Sequence, residues 1–411
     1  MVQEKRKIIV VGGGASGMMA AISAARLGNK VTILEQKENL GKKILVTGNG
    51  RCNFTNRVQL PFETYYRTEQ ISFPKPALEQ FSFEDTLAFF SELGMQFKER
   101  NGYFYPFSGQ ASTVLLLLKK ELDRLFVQVE TNAKIRQIVN KKNQFSCFLE
   151  DNRVFYSDQV ILCTGSMAAP KTGSDGSGYS LAKQFGHHLI PPLPALCPIE
   201  GKDAYGEHAI KGMAGVRTEA VLRLFIQSKL CFQERGELQI VEYGLSGIPI
   251  FQLSRYAIRA FEKGKSVWVE IDFFPDLDWK QSRKFLLQQL NRKQKTIEEA
   301  LLGLLNRKIV FYLLRCAKIK PTEQNLTEKQ FEQLLGCLKR FSVIMIGYRG
   351  FEQAQVCSGG VNTMEVKADT LESKLVQGLY FAGEILDVDG ACGGYNLQWA
   401  WSSGFLAGKG L

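Results

Sequence analysis

The chain has 411 residues, a length that suits two or three domains. Hydrophobic residues make up 45% and charged residues 23%, a globular composition that excludes a disordered or collagen-like chain. Lys and Arg number 52 against 41 Asp and Glu, and of the resulting +11 a surplus of +8 (18 basic, 10 acidic) falls in residues 253–342. No block of five or six like charges occurs, so a solvated helical surface is preferred there over a nucleic-acid interface.

From the N-terminus, residues 8–11 form an apolar β run that stops at Gly12-Gly13-Gly14-Ala15-Ser16-Gly17. Residues 18–27 are small and apolar in a helical pattern, and residues 31–34 form a second buried strand ending at Glu35. This βαβ unit occupies about 30 residues, as such a unit requires. A loop rich in Gly, Asn and Arg spans 41–56, followed by predicted helices at 83–93 and 112–125. Three β-like runs follow at 133–139, 145–150 and 153–156, the first two separated by the turn Asn140-Lys-Lys-Asn143. Residues 159–163 form another apolar strand, closing on Thr164-Gly165.

Ile190-Pro-Pro-Leu-Pro194 marks a composition shift and suits a domain boundary. Strands are expected at 219–226, 229–233 and 238–242. A helical section comes next, in which Thr296-x-x-Glu299 and Thr327-x-x-Gln330 are capping boxes ahead of apolar stripes. From about residue 355 the strand-and-glycine texture returns: Gly378-Leu-Tyr-Phe-Ala-Gly383 is a strand opening on a glycine, and Gly393-Gly394 precedes a helix at 395–406. The simplest organisation is one α/β domain built from both chain ends with a middle section inserted.

The glycine spacing carries chemistry. Gly12 permits a tight turn, Gly14 lets backbone approach a pyrophosphate, and Gly17 lets helix and sheet lie close, while the helix N-terminus attracts phosphate. Glu35, 21 residues after Gly14, stands where a carboxylate accepts ribose hydroxyls and repels a 2′-phosphate, which leaves NAD or FAD. A second strand-turn, Ala382-Gly383-Glu384, tips the balance to FAD, since a plain NAD dehydrogenase needs none. No second G-x-G-x-x-G follows an internal strand; the glycines at 173–178 have the wrong spacing. The nine cysteines contain no C-x-x-C pair and read as reduced and mostly buried, so no metal site is expected. His187-His188 reads as a surface pair after a helix. No apolar run approaches the roughly 18 residues of a membrane span, no signal peptide is visible, and a cytoplasmic location is expected.

Three longer motifs resemble the YhiN/BaiN-like flavoproteins, which include aminoacetone oxidase. They are Gly41-Lys-Lys-Ile-Leu-Val-Thr-Gly-Asn-Gly-Arg-Cys-Asn-Phe-Thr-Asn56, then Gly359-Gly360-Val361 with Gly383-Glu384-Ile-Leu-Asp-Val-Asp-Gly390, and Gly393-Gly-Tyr-Asn-Leu-Gln-Trp-Ala-Trp-Ser-Ser-Gly404. The resemblance implies a Rossmann-like α/β FAD domain (1–192 and 347–411). It also implies an insert at 193–346, with a β-barrel-like part at 193–275 and 341–346 and a helical part at 276–340. It assigns Gly12, Gly14, Ala15, Ser16 and Gly17 to the pyrophosphate, Glu35 to the adenosine ribose and Lys43 to the phosphates, with Gln36 also among the cofactor-binding residues. Gly48, Asn49, Arg51, Cys52 and Asn53 would line the flavin edge, Ile135 would meet adenine, and Thr164 and Gly165 would pass under the dinucleotide. Gly383 and Glu384 would meet the ribitol, and Asn396, Leu397 and Gln398 the flavin pyrimidine. Cys52 is read as structural rather than redox-active, and Cys357-Ser358 departs from the Thr-Ala or Thr-Ser more often found before the glycine pair.

The function implied is hydride exchange between flavin N5 and a small organic substrate, either amine oxidation or enone reduction, with NAD(P)H left open as a transient donor. The substrate would enter between the two domains. A flavin-dependent RNA-modifying enzyme and a non-catalytic redox sensor are the alternatives. Catalytic side chains, electron acceptor and oligomeric state are not legible.

Overall fold

The computed structural model describes residues 5–58, 60–142, 144–292 and 296–410. The chain divides into two compact units, one made of residues up to Leu193 and from Gln355 onward, the other of Pro194–Ala354.

The first unit is built on a five-stranded parallel sheet in the order Leu379–Phe381, Gln159–Leu162, Lys7–Val11, Lys30–Leu34, Gln128–Glu130. Its central strands are apolar on both faces: Ile8, Ile9, Val10, Val160, Ile161 and Leu162 are all buried, the pattern of a sheet covered on each side. One cover is the helix Ala15–Arg26, whose Ala and Gly positions allow close packing against the last helix, Tyr395–Lys409. Gly404 and Gly408 make that approach possible, because a Cβ on either would stand 2.5 Å and 2.4 Å from the carbonyl oxygens of Ser16 and Ala20. A three-stranded antiparallel sheet (Ile135–Lys141, Gln144–Leu149, Val154–Ser157) matches the expected meander. Asn143, the last residue of its expected turn, lies outside the described residues.

The second unit is a closed six-stranded barrel of Ile199–Asp203, Gly244–Ser246, Lys229–Val241, Arg217–Ile226, Val267–Asp272 and Phe341–Tyr348, accompanied by a helical section. Both expected capping boxes form: Thr296 and Thr327 each accept from the backbone of the residue three positions on, and Glu299 and Gln330 return the bond.

Four local expectations change. The runs at 229–233 and 238–242 are one thirteen-residue strand, because Gly236 stays in the pleat and the polar residues around it simply alternate with the barrel-facing ones. The stripe after Thr296 is two helices, Ile297–Leu302 and Arg307–Cys316, since Gly303 caps the first and the Asn306 side chain starts the second. The proline stretch is not a bare linker: Leu189–Ala195 is a strand paired with Val356–Val361 in a two-stranded sheet, where missing N–H groups cost no inner ladder. His187 is not on the surface. It is 3% exposed, its Nε2 lies 2.8 Å from the Ser373 hydroxyl, and only His188 faces solvent.

Among the described residues no helix is long and apolar enough to cross a membrane.

Candidate dinucleotide site

The turn after the first strand is shaped by close contacts. Gly12 adopts φ +100°, and a Cβ there would stand 2.6 Å from the Cys163 carbonyl oxygen. A Cβ on Gly17 would stand 1.9 Å from the Gly12 carbonyl oxygen. Gly14 is different: nothing lies within 4 Å of its would-be Cβ, so it faces open space. It caps the first helix without any side-chain bond, and no acidic residue occupies the first turn. Met18 N–H makes the first helical bond, to the Gly14 carbonyl, which leaves the N–H groups of Ala15, Ser16 and Gly17 without helical partners. An uncapped, glycine-walled helix start of this kind is an anion cradle.

Glu35 closes the second strand and is 8% exposed. Its Oε2 accepts the Gly13 N–H (2.7 Å) and its Oε1 the Lys37 N–H (2.8 Å). Burial raises its pKa, while these bonds from Lys37 and Gly13 pull it back. Each oxygen keeps a lone pair for a ribose hydroxyl. Gln36 donates to the Gly173 carbonyl, and the Glu35 carbonyl accepts the Ala133 N–H, so Ile135 starts its strand two residues from that bond.

The 41–56 segment, expected as a loop throughout, begins with a short helix, Lys42–Val46, and ends in the strand Thr55–Asn56; between them the backbone is left-handed at Gly48, Asn49 and Cys52. Gly48, Asn49 and Arg51 are exposed, whereas Cys52 is fully buried. Burial pushes the Cys52 thiol up to about 12, against a weaker lowering by the Thr47 hydroxyl, so it stays a thiol and acts as packing. Asn53 Oδ1 is buried without a hydrogen-bond partner, beside Gly394, whose would-be Cβ lies 3.0 Å from it. Thr164 Oγ1 is a second such atom, held where Gly178 approaches and followed by Gly165 at φ +73°. A buried polar atom in this state calls for a partner, and a bound ligand is one source of it.

The C-terminal block arrives beside the first helix. Gly383, at φ +78°, sits against Ser16, where a Cβ would stand 2.4 Å from the hydroxyl. It is held by two contacts that the motifs do not reveal: its N–H donates to Ser403 Oγ (2.9 Å) and its carbonyl accepts from Trp399 Nε1 (3.1 Å). Glu384 pairs with Lys43 at 2.6 Å, and Ser166 Oγ donates to the same carboxylate at 3.3 Å.

The last helix begins at Gly394 with no side-chain cap, and its first internal bond runs from Gln398 N–H to Gly394 O. The N–H groups of Tyr395, Asn396 and Leu397 therefore form a second positive helix start. Two assigned side chains are occupied elsewhere. The Asn396 amide clamps the turn before it, accepting from Gly390 N–H (2.7 Å) and donating to the Gly390 carbonyl (2.9 Å) and the Ala391 carbonyl (3.2 Å). Gln398 is fully buried: its Oε1 accepts from the Thr55 and Thr86 hydroxyls, and its Nε2 donates to Phe81 O, Ser82 O and Ser402 Oγ. Its amide is spent inside the protein and orients the helix rather than a ligand.

The profile described as "HI0933-like protein Rossmann domain" matches residues 6–410. The 3-dehydro-bile acid delta(4,6)-reductase of Clostridium scindens is 43% identical over 408 residues, covering 98% of both chains. The ribosomal RNA dihydrouridine synthases of Escherichia coli K12 and Haemophilus influenzae are 29% and 28% identical. The first covers 99% of this chain and 98% of its own, the second 97% and 96%.

Proposed function

The chain belongs to the HI0933-like Rossmann family, and from that premise we propose that it is an FAD-dependent reductase acting on a carbon–carbon double bond conjugated to a carbonyl in a small organic substrate. The observation that carries this reading is the 43% identity, over 98% of both chains, to a reductase whose name specifies a bile-acid substrate. The glycine cradle at Gly12, Gly14 and Gly17, and the unpartnered atoms of Asn53 and Thr164, fit the cofactor.

Bound FAD would supply a hydride from N5. The protein's part is to hold and bias it. Ala15, Ser16 and Gly17 offer N–H groups to the pyrophosphate, and Glu35 offers lone pairs to the adenosine ribose. Lys43 and Glu384 present one cation and one carboxylate side by side, which would serve phosphate and ribitol hydroxyls respectively. The start of the last helix would turn its dipole toward the pyrimidine ring, where reduction places negative charge. NAD(P)H serves in this reading as a transient reductant without a binding fold of its own.

A second reading, reduction of uracil in RNA, is favoured by the two dihydrouridine synthase relatives and asks for the same reaction on a different ring. On the helix Trp279–Leu290, Lys280 and Lys284 are exposed one turn apart, while Arg283 is engaged by Glu328 and Glu332.

One experiment tests both. The FAD-loaded protein is bleached anaerobically with NADH or NADPH, then mixed with a 3-oxo-Δ4 bile acid or a uridine-containing rRNA fragment. Recovery of flavin absorbance with the bile acid alone supports the first reading. Recovery only with RNA, weakening steeply with salt, replaces it with the second. A protein that takes up no FAD ends both.

A further inference from the structure

Arg349 follows the barrel strand Phe341–Tyr348, and its guanidinium carbon stands 3.7 Å from the centroid of the Tyr243 ring. That is close for a cation over an aromatic face. Its ionic contact is with Glu200, Nη1 lying 3.3 Å from Oε1, and its Nε is buried without a hydrogen-bond partner. Among the described residues the guanidinium has no other ion-pair or hydrogen-bond partner. An arginine that braces the fold looks different: Arg26 donates four hydrogen bonds to Glu92 and Glu121. A guanidinium offers its donors as a planar fork, and one held in place with the fork unspent suits an oxyanion.

The backbone builds the frame. Glu200 lies on Ile199–Asp203, paired with Gly244 on one side and Gly347 on the other. Both glycines are required by closeness, since a Cβ at Gly244 would stand 2.0 Å from Ile199 O and one at Gly347 would stand 3.0 Å from Glu200 Oε2. Tyr243 O accepts Gly201 N–H at 2.9 Å, and its hydroxyl donates to Gln353 Oε1 at 3.2 Å. Arg349 N–H donates to Pro198 O at 3.2 Å. Ring, carboxylate and guanidinium are therefore positioned before any ligand arrives, which lowers the cost of binding one. The Arg349 side chain is 35% exposed, so a ligand can reach it although Nε is covered.

We propose that Arg349, backed by Tyr243, recognises the ionised carboxylate of an amphipathic acid of the bile-acid kind, its Nη atoms donating to the carboxylate oxygens. This inference rests on the reductase reading above and narrows it to acidic substrates. Charge favours a single carboxylate over an RNA backbone. Glu200 already offsets part of the arginine, and Glu242 and Glu352, the sequence neighbours of Tyr243 and Gln353, are exposed and would repel a row of phosphates.

Holoenzymes of wild type, Arg349→Gln, Arg349→Lys, Tyr243→Leu and the exposed control Arg217→Gln are titrated with a 3-oxo-Δ4 bile acid and with its methyl ester. Affinity is read from the spectrum of the oxidised flavin, turnover from steady-state rates and stability from urea melts. Wild type should prefer the acid, and Arg349→Gln should weaken the acid at least tenfold while leaving the ester within twofold. The loss should appear in KM and not in kcat. Arg349→Lys should restore part of it, Tyr243→Leu should weaken the acid alone, and Arg217→Gln should match wild type. Equal affinity of wild type for acid and ester overturns the proposal. So does a loss in Arg349→Gln that is the same for both, the result expected if the arginine only braces Glu200. Weaker binding of an rRNA fragment with the acid unaffected also overturns it, in favour of phosphate. Wild type that neither binds nor reduces acid or ester fails the parent reading, and the carboxylate assignment falls with it. Should Arg349→Gln not fold, Arg349→Lys and the wild-type preference decide.

Discussion

Gly14 and Gly17 stand one helical turn apart in the same motif, yet their substitutions should behave in opposite ways. A methyl group at Gly17 would enter the Gly12 carbonyl, and overpacking of backbone against backbone should cost roughly 3 kcal/mol in the FAD-free protein. A methyl at Gly14 meets nothing, and its φ of −80° suits alanine, so Gly14→Ala should stay within about 1 kcal/mol of wild type. It should still weaken FAD at least tenfold, because the methyl would occupy the space reserved for the pyrophosphate. Urea melts of the FAD-free proteins beside FAD titrations check the pair. If both variants lose stability equally, Gly14 is packing and not a phosphate wall.

His187 supplies the pH dependence. Burial lowers its pKa from 6.5, outweighing the opposite pull of Glu365, so the folded protein holds it neutral while the unfolded chain protonates near 6.5. Between its folded pKa and 6.5 the unfolded state binds more protons, so this contribution is complete above 6.5 and is lost as pH falls from there through the folded value. Glu365, whose pKa is lowered from 4.5 despite burial by its bonds to His188, contributes in a lower window, lost as pH falls below 4.5. Urea midpoints at pH 7.5, 6.5, 5.5 and 5.0 should decline, and His187→Gln should flatten the decline between 6.5 and 5.5. An unchanged slope would show that His187 does not carry it. Sequence could not reveal this residue's burial, because nothing local separates it from exposed His188; the difference comes from Ser373 and Phe381, nearly two hundred positions away.

At the scale of elements, legibility followed the range of the interaction. The βαβ unit, the meander and both threonine capping boxes depend on neighbours within a few residues and stood plainly in the chain. The long barrel strand did not, because Gly236 reads as a turn until its partners Ala220 and Pro249 are known. The same limit hid the Gln398 network, whose partners Thr55, Thr86 and Phe81 lie more than three hundred residues away. A buried ion pair was also invisible: Lys339, at the end of the helix Glu328–Lys339, meets Asp272 at 2.7 Å and donates to the carbonyls of Phe274 and Leu277. Asp272→Ala should destabilise this unit by about 3–5 kcal/mol, since it strands a buried ammonium and removes the acceptor of Phe274 N–H. Thr327→Ala, which removes only a cap from the same helix, should cost about 1 kcal/mol. Measured together by urea denaturation, the two costs should differ severalfold; similar values would show that the Lys339 ammonium does not depend on Asp272.

For the whole molecule the decisive fact is how each unit closes its core. The first unit needs both chain ends, since Leu379–Phe381 completes the sheet begun by Lys7–Val11 and the last helix covers the first. The second is continuous in sequence, and its barrel has no open edge that requires another strand. Residues 194–354 expressed alone should therefore give a cooperative melt whose midpoint is indifferent to FAD. In the full chain, FAD at a hundred times its Kd should stabilise the first unit by about 2.7 kcal/mol and leave the barrel's transition in place. Two transitions of which FAD moves one would fix the cofactor to the unit made from both termini. A single transition that moves as a whole would show that the units unfold together. If the isolated segment fails to melt cooperatively, a closed barrel is not sufficient here, and the segment depends on the rest of the chain for its fold.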